Sequence, residues 1–507
     1  MTSLVQALSG LPWLLVVAAI ALVAGVVGEV RGAAARRAAL LLALRLALVT
    51  LATYALHRAL ALPGFFHQNG HGPMWVAYAR CGAGPLGPGF AEVFGVAASR
   101  DPAHAEAAVF ALQGALAALV PAAVYLVATG VGAAPWLAGG VALVAATEPV
   151  LVRIASTESY YATTTSLLFV AAAVLAAWPS RAPRSDRRTA LAAACAGLVV
   201  AQAARIHPLC WPAAALLPLV PAVRAGSVRA LLREAAIVGV VIALVVAATS
   251  GGEMLRVLDG SEGQGWLARV DLTETLARNA TPGRLVVLAA AALWLRREPL
   301  AIAALVVAFV VARLADLHGS SPPWVQAAYY VQYAPVALAA AAALLARWPG
   351  ASAWPGRLAV AATLALAASR FAPMQQQATD TREQEAMLAW RDLVPPDASL
   401  VWLGRAGLRV LALPVYGDCA RSAHHPIAAD DAPAPLASLG RRVYYYRSSL
   451  CSSADGRAKC GEMEATARLV PLATAAIPAR ASMTGLGFDR DPVEVGLFRV
   501  EAPRDAP

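Results

Sequence analysis

Two histidines lie close together in a stretch of the chain that is too irregular for a helix. Residues 66–75 read FHQNGHGPMW, so two glycines and a proline interrupt the segment. A tight loop of this composition brings backbone amides near a ligand. His67 and His71 could then act as acid or base or bind a metal, and Asn69 could hydrogen-bond a substrate. The alternative is a loop at the membrane interface, anchored by its aromatic residues.

A second polar group occupies residues 148–161, between two apolar runs. Ionisable residues at that depth are costly to bury, so they tend to be paired or functional. Arg153 could hold a phosphate, Glu158 could handle a proton or a sugar hydroxyl, and Tyr160 could contact the substrate. Arg153 and Glu158 could equally pair with each other and serve the structure alone.

Two further groups lie where the chain enters or leaves apolar runs. Arg205 and His207 end one run, and an arginine there suits a phosphate or pyrophosphate headgroup. Snorkelling of the arginine to the interface is the alternative. Tyr329 and Tyr333 precede a later run, where their hydroxyls could shape a sugar or prenyl site or belong to an aromatic belt.

The composition indicates what kind of scaffold positions these groups. Of 507 residues, 59% are hydrophobic and 14% charged, against roughly 45–50% and 25% in soluble domains. The mean hydropathy is +0.60. A soluble globular enzyme and a disordered chain are both excluded, because neither keeps so few charges in water. The net charge of +10 comes from arginines clustered between apolar runs, which encode membrane topology, so we expect no nucleic-acid partner.

Apolar runs recur from residue 11 to residue 372 and predict a polytopic α-helical membrane protein with about twelve transmembrane helices. One set of alternate loops holds fourteen arginines and the opposite set holds seven. The arginine-rich set is therefore cytoplasmic, and both termini lie outside. The predicted spans are 11–29, 38–62, 106–130, 136–152, 159–178, 189–204, 207–222, 234–249, 284–296, 299–316, 332–347 and 357–372, with long outer loops at 63–105, 250–283 and 317–331.

The last part of the chain, 373–507, is polar and mixed in composition, unlike the transmembrane domain at 1–372. It predicts a small α/β domain outside the cytoplasm, with Cys451 and Cys460 near enough in sequence to form a disulfide. An amphipathic helix is predicted at 380–393, and strands at 399–403, 410–413, 442–446 and 493–500.

Several of these segments follow one another in a recognisable order. A long outer loop follows an early span, and a Pro-x-x-x-Arg…Glu-Ser segment, from Pro149 to Ser159, leads into another. A Tyr-x-x-Gln-Tyr-x-Pro segment at 329–335 opens a later span, and a soluble tail closes the chain. In this order the chain resembles the C-type glycosyltransferase superfamily. These integral membrane enzymes use polyprenyl-phosphate sugars and are related to the protein O-mannosyltransferases and aminoarabinose transferases.

The resemblance implies partners and a location. It implies a polyprenyl-phosphate sugar donor, contact with membrane lipid, and a glycan, lipid or protein acceptor on the extracytoplasmic face. The location implied is a multi-pass position in a bacterial inner or plasma membrane. Metal dependence varies within the superfamily, so a divalent cation stays open as a cofactor.

The resemblance also implies roles for individual residues. Arg153 or Arg205 would hold the phosphate leaving group while the sugar transfers directly, with inversion at its anomeric carbon. The superfamily places an Asp or Glu in the first outer loop as the base, whereas residues 67–72 contain no carboxylate. His67, His71 or the later carboxylates of the same loop, Glu92 and Asp101, would substitute. The alternatives are a transporter or lipid flippase, or a non-catalytic relative.

Overall fold

The computed structural model describes a bundle of apolar helices followed by a mixed sheet. The residues that it describes are 15–20, 33–60, 88–98, 102–155, 160–177, 186–207, 228–259, 382–395, 398–404, 425–428, 442–479 and 491–501, with a few single residues between these ranges. Every structural statement below concerns these residues.

The bundle is built from helices rich in Ala and Leu, which have high helix propensities. Four helices begin at a proline, the residue whose fixed φ and missing N–H suit the first helical position. The helices are α1 (Ala33–Leu60), α2 (Pro88–Ala98), α3 (Pro102–Gly130), α4 (Pro135–Ala146), α5 (Pro149–Ala155), α6 (Tyr160–Ala177), α7 (Asp186–Ile206) and α8 (Val228–Asp259).

Three segments of these helices are long and apolar enough to cross a membrane: Ala33–Leu60, Ala108–Gly130 and Thr189–Ile206. The first exposes a row of leucines, whereas most of the third is buried inside the bundle. Two shorter apolar helices, Pro135–Ala146 and Ala162–Ala176, pack beside them. The prediction of about twelve spans extends over residues outside the described ranges.

Side-chain contacts fix the directions of the helices. Tyr54 and Arg58 of α1 contact Gly114 and Phe110 of α3, so rising numbers on α1 meet falling numbers on α3 and the two helices are antiparallel. Thr163 of α6 contacts Gln113 of α3, and a Cβ added at Gly130 would meet Ala176 at 2.5 Å. The numbers rise together in this pair, so α3 and α6 are parallel. Both results agree with the predicted alternation of spans.

The segment predicted as one span at 136–152 forms two helices in the structure. Helix α4 ends at Ala146, and α5 begins at Pro149 after Thr147 and Glu148. The proline explains the break, since it lacks an N–H to bond and its ring disfavours a helical residue before it. The backbone carbonyl of Glu148 then accepts the first bond of α5, from the N–H of Val152, at 3.0 Å.

The C-terminal part contains a five-stranded sheet with strand order β2-β1-β3-β5-β4. The first three strands are parallel, and β5 pairs antiparallel with both β3 and β4. Its elements are α9 (Arg382–Trp390), β1 (Ser399–Gly404), β2 (His425–Ala428), β3 (Val443–Arg447), α10 (Ala454–Glu464), β4 (Arg468–Ile477) and β5 (Val493–Glu501).

Four predicted elements of this part coincide with observed ones, namely the first helix and the strands at 399–403, 442–446 and 493–500. The sequence analysis missed β2, β4 and α10, and the run predicted at 410–413 lies outside the described residues. Cys451 and Cys460 form the expected disulfide, with an S–S distance of 2.03 Å. It joins the turn after β3 to α10, so it fastens helix to sheet rather than closing a polar loop.

Candidate functional site

The candidate site lies where α2 meets the last turn of α7. Helix α2 buries Phe90 and Phe94, four residues apart, with their ring centroids 4.7 Å from each other. These two side chains pack α2 against the bundle. Glu92 lies midway between them in the sequence and therefore on a different face of the helix. Gln202 and Arg205 lie three residues apart on α7, so they share a face.

A carboxylate and a guanidinium pair at this junction. The two terminal nitrogens of Arg205 donate to the two carboxylate oxygens of Glu92, Nη1 to Oε2 and Nη2 to Oε1. Only 8% of the Arg205 side chain and 21% of the Glu92 side chain are exposed. Parallel N–H donors of this kind fix a carboxylate in direction as well as in position. Arg205 also lies in the last turn of α7, where the helix dipole favours a positive charge.

Gln202 adds a third donor to the same carboxylate. Its amide nitrogen, Nε2, donates to Oε2 of Glu92 at 3.1 Å and to the backbone carbonyl of Gly89 at 3.1 Å. Gly89 and Glu92 lie three residues apart on α2, so one amide holds that helix at two points. Gln202 is fully buried, and its own carbonyl oxygen, Oε1, has no hydrogen-bond partner among the described residues.

The close approach of the two helices depends on a glycine. A Cβ added at Gly89 would lie 2.8 Å from the carbonyl carbon of Arg205 and 2.9 Å from the backbone nitrogen of Ile206. These are backbone atoms, which cannot rotate away as a flexible side chain can. Glycine is therefore required where α2 crosses the end of α7.

Further polar side chains lie near the same end of the bundle. His207 follows the last turn of α7, is partly exposed, and donates its backbone N–H to Ala203 at 3.1 Å. The hydroxyl of Thr163 donates to Oε1 of Gln113 at 2.7 Å, and both residues are buried. His57 of α1 bonds the carbonyl of Ala146 at 2.9 Å through Nε2, which satisfies a free carbonyl at the end of α4.

The residues predicted from the sequence fall into three groups. Glu92 and Arg205 are brought into direct contact, with His207 two residues beyond Arg205. Arg153 lies in α5 and Tyr160 is the first residue of α6, but the structure describes only their backbones. The others lie outside the described residues: His67, Asn69, His71, Asp101, Glu158, Tyr329 and Tyr333.

A divalent cation stays open as a cofactor, as it did from the sequence. Within the described part of the chain, no group of three or more His, Cys, Asp or Glu side chains is arranged to hold a metal ion. The carboxylate of Glu92 accepts hydrogen bonds from side-chain nitrogens of Arg205 and Gln202.

Two residues of the site, Gln202 and Gly89, were not predicted from the sequence. Gln202 is an amide inside an apolar run, and a polar residue at such a depth is itself a sign of a specific partner. It lies one helical turn before Arg205, a spacing that could have joined the two. Nothing in the sequence marks Gly89 among the other glycines of its loop.

Comparison with known proteins gives a fold and no family. No protein-family model matches the chain, and no curated protein matches it. One solved structure that it resembles is ArnT from Cupriavidus metallidurans, bound to undecaprenyl phosphate. The two chains are 12% identical with a TM-score of 0.51, over 90% of this chain and 97% of that one. The expected resemblance in fold is therefore confirmed to the extent that the chain shares the fold of ArnT, and with its apolar helices the chain is an integral membrane protein.

Proposed function

We propose that this chain is a membrane glycosyltransferase that moves a sugar from a polyprenyl-phosphate donor to an acceptor on the extracytoplasmic face. The observation that carries the proposal is the paired Glu92 and Arg205 at the end of the bundle that the arginine distribution predicts to face outward. The fold shared with ArnT, a protein whose structure was solved with undecaprenyl phosphate, supports the choice of donor.

The proposed role of Arg205 follows from the charge that develops during transfer. A sugar joined to a polyprenyl chain through a phosphodiester carries one negative charge, and the polyprenyl phosphate that leaves carries about two. A guanidinium in place near that phosphate binds the leaving group more tightly as the bond breaks, which lowers the barrier. Its planar fork of N–H donors matches two phosphate oxygens, as it matches the two oxygens of Glu92 here.

The proposed step is a direct displacement. An acceptor oxygen forms a bond to the anomeric carbon while the bond from that carbon to the phosphate oxygen breaks, and the electron pair stays with the phosphate. The acceptor's proton passes to a base, and the configuration at the anomeric carbon inverts. Glu92 is the candidate base whose position is described, while His67, His71 and Asp101 remain predictions for the same role and Glu158 for handling a proton or a sugar hydroxyl.

The test uses purified protein in detergent and a small panel of radiolabelled polyprenyl-phosphate sugars. Loss of label from the lipid would be followed in the wild type, in Arg205→Lys and in Glu158→Gln. Lysine keeps the charge of Arg205 but loses the two-pronged contact, so we expect turnover to fall about a hundredfold. The matched control is Arg468→Lys, which alters an exposed arginine 3.8 Å from Glu501 in the sheet and leaves turnover unchanged.

Each alternative gives a different result in this assay. Binding of the lipid without turnover in the wild type would favour a non-catalytic relative. Neither binding nor turnover across the panel would favour a transporter or lipid flippase. Equal turnover in wild type and Arg205→Lys would remove Arg205 from the proposed leaving-group site.

A further inference from the structure

The pair formed by Glu92 and Arg205 places a carboxylate where the proposed function needs a phosphate. Both terminal nitrogens of the guanidinium donate hydrogen bonds to Glu92, and the same two donors would hold two phosphate oxygens. One guanidinium fork cannot hold both anions in the same two-pronged way. A phosphate held by this same pair of N–H donors therefore requires the carboxylate to give up this contact.

Gln202 provides Glu92 with a second hold that does not involve Arg205. Its Nε2 reaches both Oε2 of Glu92 and the backbone carbonyl of Gly89, each at 3.1 Å. Because Gly89 and Glu92 lie on the same helix, this amide fixes the backbone of α2 and the carboxylate together. When the guanidinium turns to another anion, the carboxylate keeps one donor and its place on α2.

The remaining atom of the same amide is an acceptor without a donor. Oε1 of Gln202 is buried and has no hydrogen-bond partner among the described residues, and an unpaired buried acceptor is unfavourable. An amide whose nitrogen is held between two acceptors presents its oxygen in a fixed direction. A donor group of the acceptor other than the reacting hydroxyl, placed beside Glu92, would satisfy that oxygen.

Resting on the proposed function, we propose that the donor's phosphate displaces Glu92 from Arg205 and that Gln202 keeps the freed carboxylate in place as the proton acceptor. Gln202 is thus a positioning residue: its carbonyl oxygen accepts a hydrogen bond from a second donor group of the acceptor, which leaves the proton of the reacting hydroxyl directed at Glu92. In the transfer, the acceptor oxygen bonds to the anomeric carbon and its proton goes to Glu92. The bond from that carbon to the phosphate breaks, and its electron pair leaves with the phosphate held by Arg205.

The sign of one affinity change tests the exchange. The probe is polyprenyl phosphate without sugar, titrated into full-length wild type and Glu92→Gln in detergent. If the carboxylate competes with the phosphate, neutralising it leaves Arg205 available more of the time, and we expect binding about tenfold tighter. Turnover should fall at least a hundredfold, because the proton acceptor is lost. Weaker binding by Glu92→Gln would overturn the proposal, since it would mean that Glu92 only supports Arg205.

A second variant guards against misfolding of the first. Glu92→Asp keeps the charge but is one methylene shorter, so it meets Arg205 less well and should bind polyprenyl phosphate with an affinity between wild type and Glu92→Gln. An affinity for the lipid equal to or below that of wild type would count against the exchange. Thermal unfolding midpoints of all variants would be compared in the same detergent.

The role of Gln202 is tested by separating binding from chemistry. Gln202→Met has a similar volume but neither donor nor acceptor, so we expect kcat to fall about tenfold or more while the affinity for polyprenyl phosphate is kept. The matched control is Gln113→Met, which alters an equally buried glutamine that bonds Thr163 and not Glu92. Equal loss of kcat in the two variants would make Gln202 a structural residue and overturn its positioning role.

Failure of the proposed function and failure of the exchange alone give different results. If wild type neither binds polyprenyl phosphate nor transfers a sugar, the proposed function fails and the exchange with it. If wild type does both while Glu92→Gln binds the lipid more weakly, the function stands and the exchange alone is wrong.

Discussion

Substituting Gly89 by alanine should drive α2 away from α7. The added methyl would lie 2.8 Å from the backbone of Arg205, whereas carbon atoms in ordinary contact are about 3.5–4.0 Å apart, so the helices must separate by about 1 Å. The bond from Gln202 to the carbonyl of Gly89 is 3.1 Å long and would stretch to about 4 Å, beyond hydrogen-bond range.

The expected loss of stability follows from three contributions. Overpacking costs about 1–3 kcal/mol, and the broken hydrogen bond costs about 1 kcal/mol. Alanine regains about 1 kcal/mol over glycine through its higher helix propensity. Gly89→Ala should therefore be destabilised by about 1–3 kcal/mol, and turnover should fall with it because the Glu92–Arg205 pair is pulled apart.

Two glycines of the same bundle supply matched controls. A Cβ added at Gly139 or Gly239 meets nothing within 4 Å, so alanine there should leave stability unchanged or raise it by up to about 1 kcal/mol. Unfolding on heating would be followed by tryptophan fluorescence in one detergent at one heating rate, since large membrane proteins often unfold irreversibly. If the midpoint of Gly89→Ala coincided with those of the controls, the close approach of α2 and α7 would be refuted.

Three other predictions concern the C-terminal sheet. Replacing Cys451 and Cys460 together by alanine removes a disulfide between positions nine apart, which should lower the free energy of unfolding by about 2.6 kcal/mol. Proteolysis of the C-terminal sheet should then be faster, and an unchanged rate would argue against the bond. Glu383→Gln should cost about 1–3 kcal/mol, because the buried carboxylate accepts bonds from Ser449 and Tyr446; calorimetry checks this. Burial, and then the nearby Glu383, raises the pKa of Tyr446 above its ordinary value. The contribution of this hydroxyl to the free energy of unfolding is thus complete below about pH 10 and is lost as the pH rises further. Alkaline unfolding of Tyr446→Phe should therefore begin at a higher pH than that of wild type.

The sequence marked the members of the candidate site but not their partnership. Arg205 stood out as a cation at the end of an apolar run, and Glu92 as a carboxylate in the first outer loop. Their contact spans 113 positions of sequence and depends on α2 forming inside that predicted loop. No periodic pattern in the sequence predicts which carboxylate of a long loop contacts which helix end. The contact depends on tertiary packing, here on the close approach of α2 and α7 at Gly89.

In the sheet too, long-range pairing decides the structure where the sequence has a weak intrinsic preference for a β-strand. β1 and β3 are rich in Val, Leu, Trp and Tyr, and their composition predicted them. β4 contains three alanines and a proline, and it is a strand because it pairs along its length with β5. The break before Pro149 could have been read from the proline, yet the apolar residues on both sides suggested one continuous span.

The fastening of α1 has a consequence for how the protein fits bilayers of different thickness. The side-chain contacts of Tyr54, His57 and Arg58 lie in the last two turns of this 28-residue helix, and Leu46 packs against the core near its middle. Towards the other end, α1 exposes leucines, and Arg36 and Arg37 lie in its first turn. A membrane thicker or thinner than the helix is therefore accommodated at that arginine-bearing end, by tilt and by the reach of the two long side chains. We expect the end of α1 that contacts α3 and α4 to keep its position against those helices. The junction of α2 and α7 should then stay in place when the lipid chain length changes.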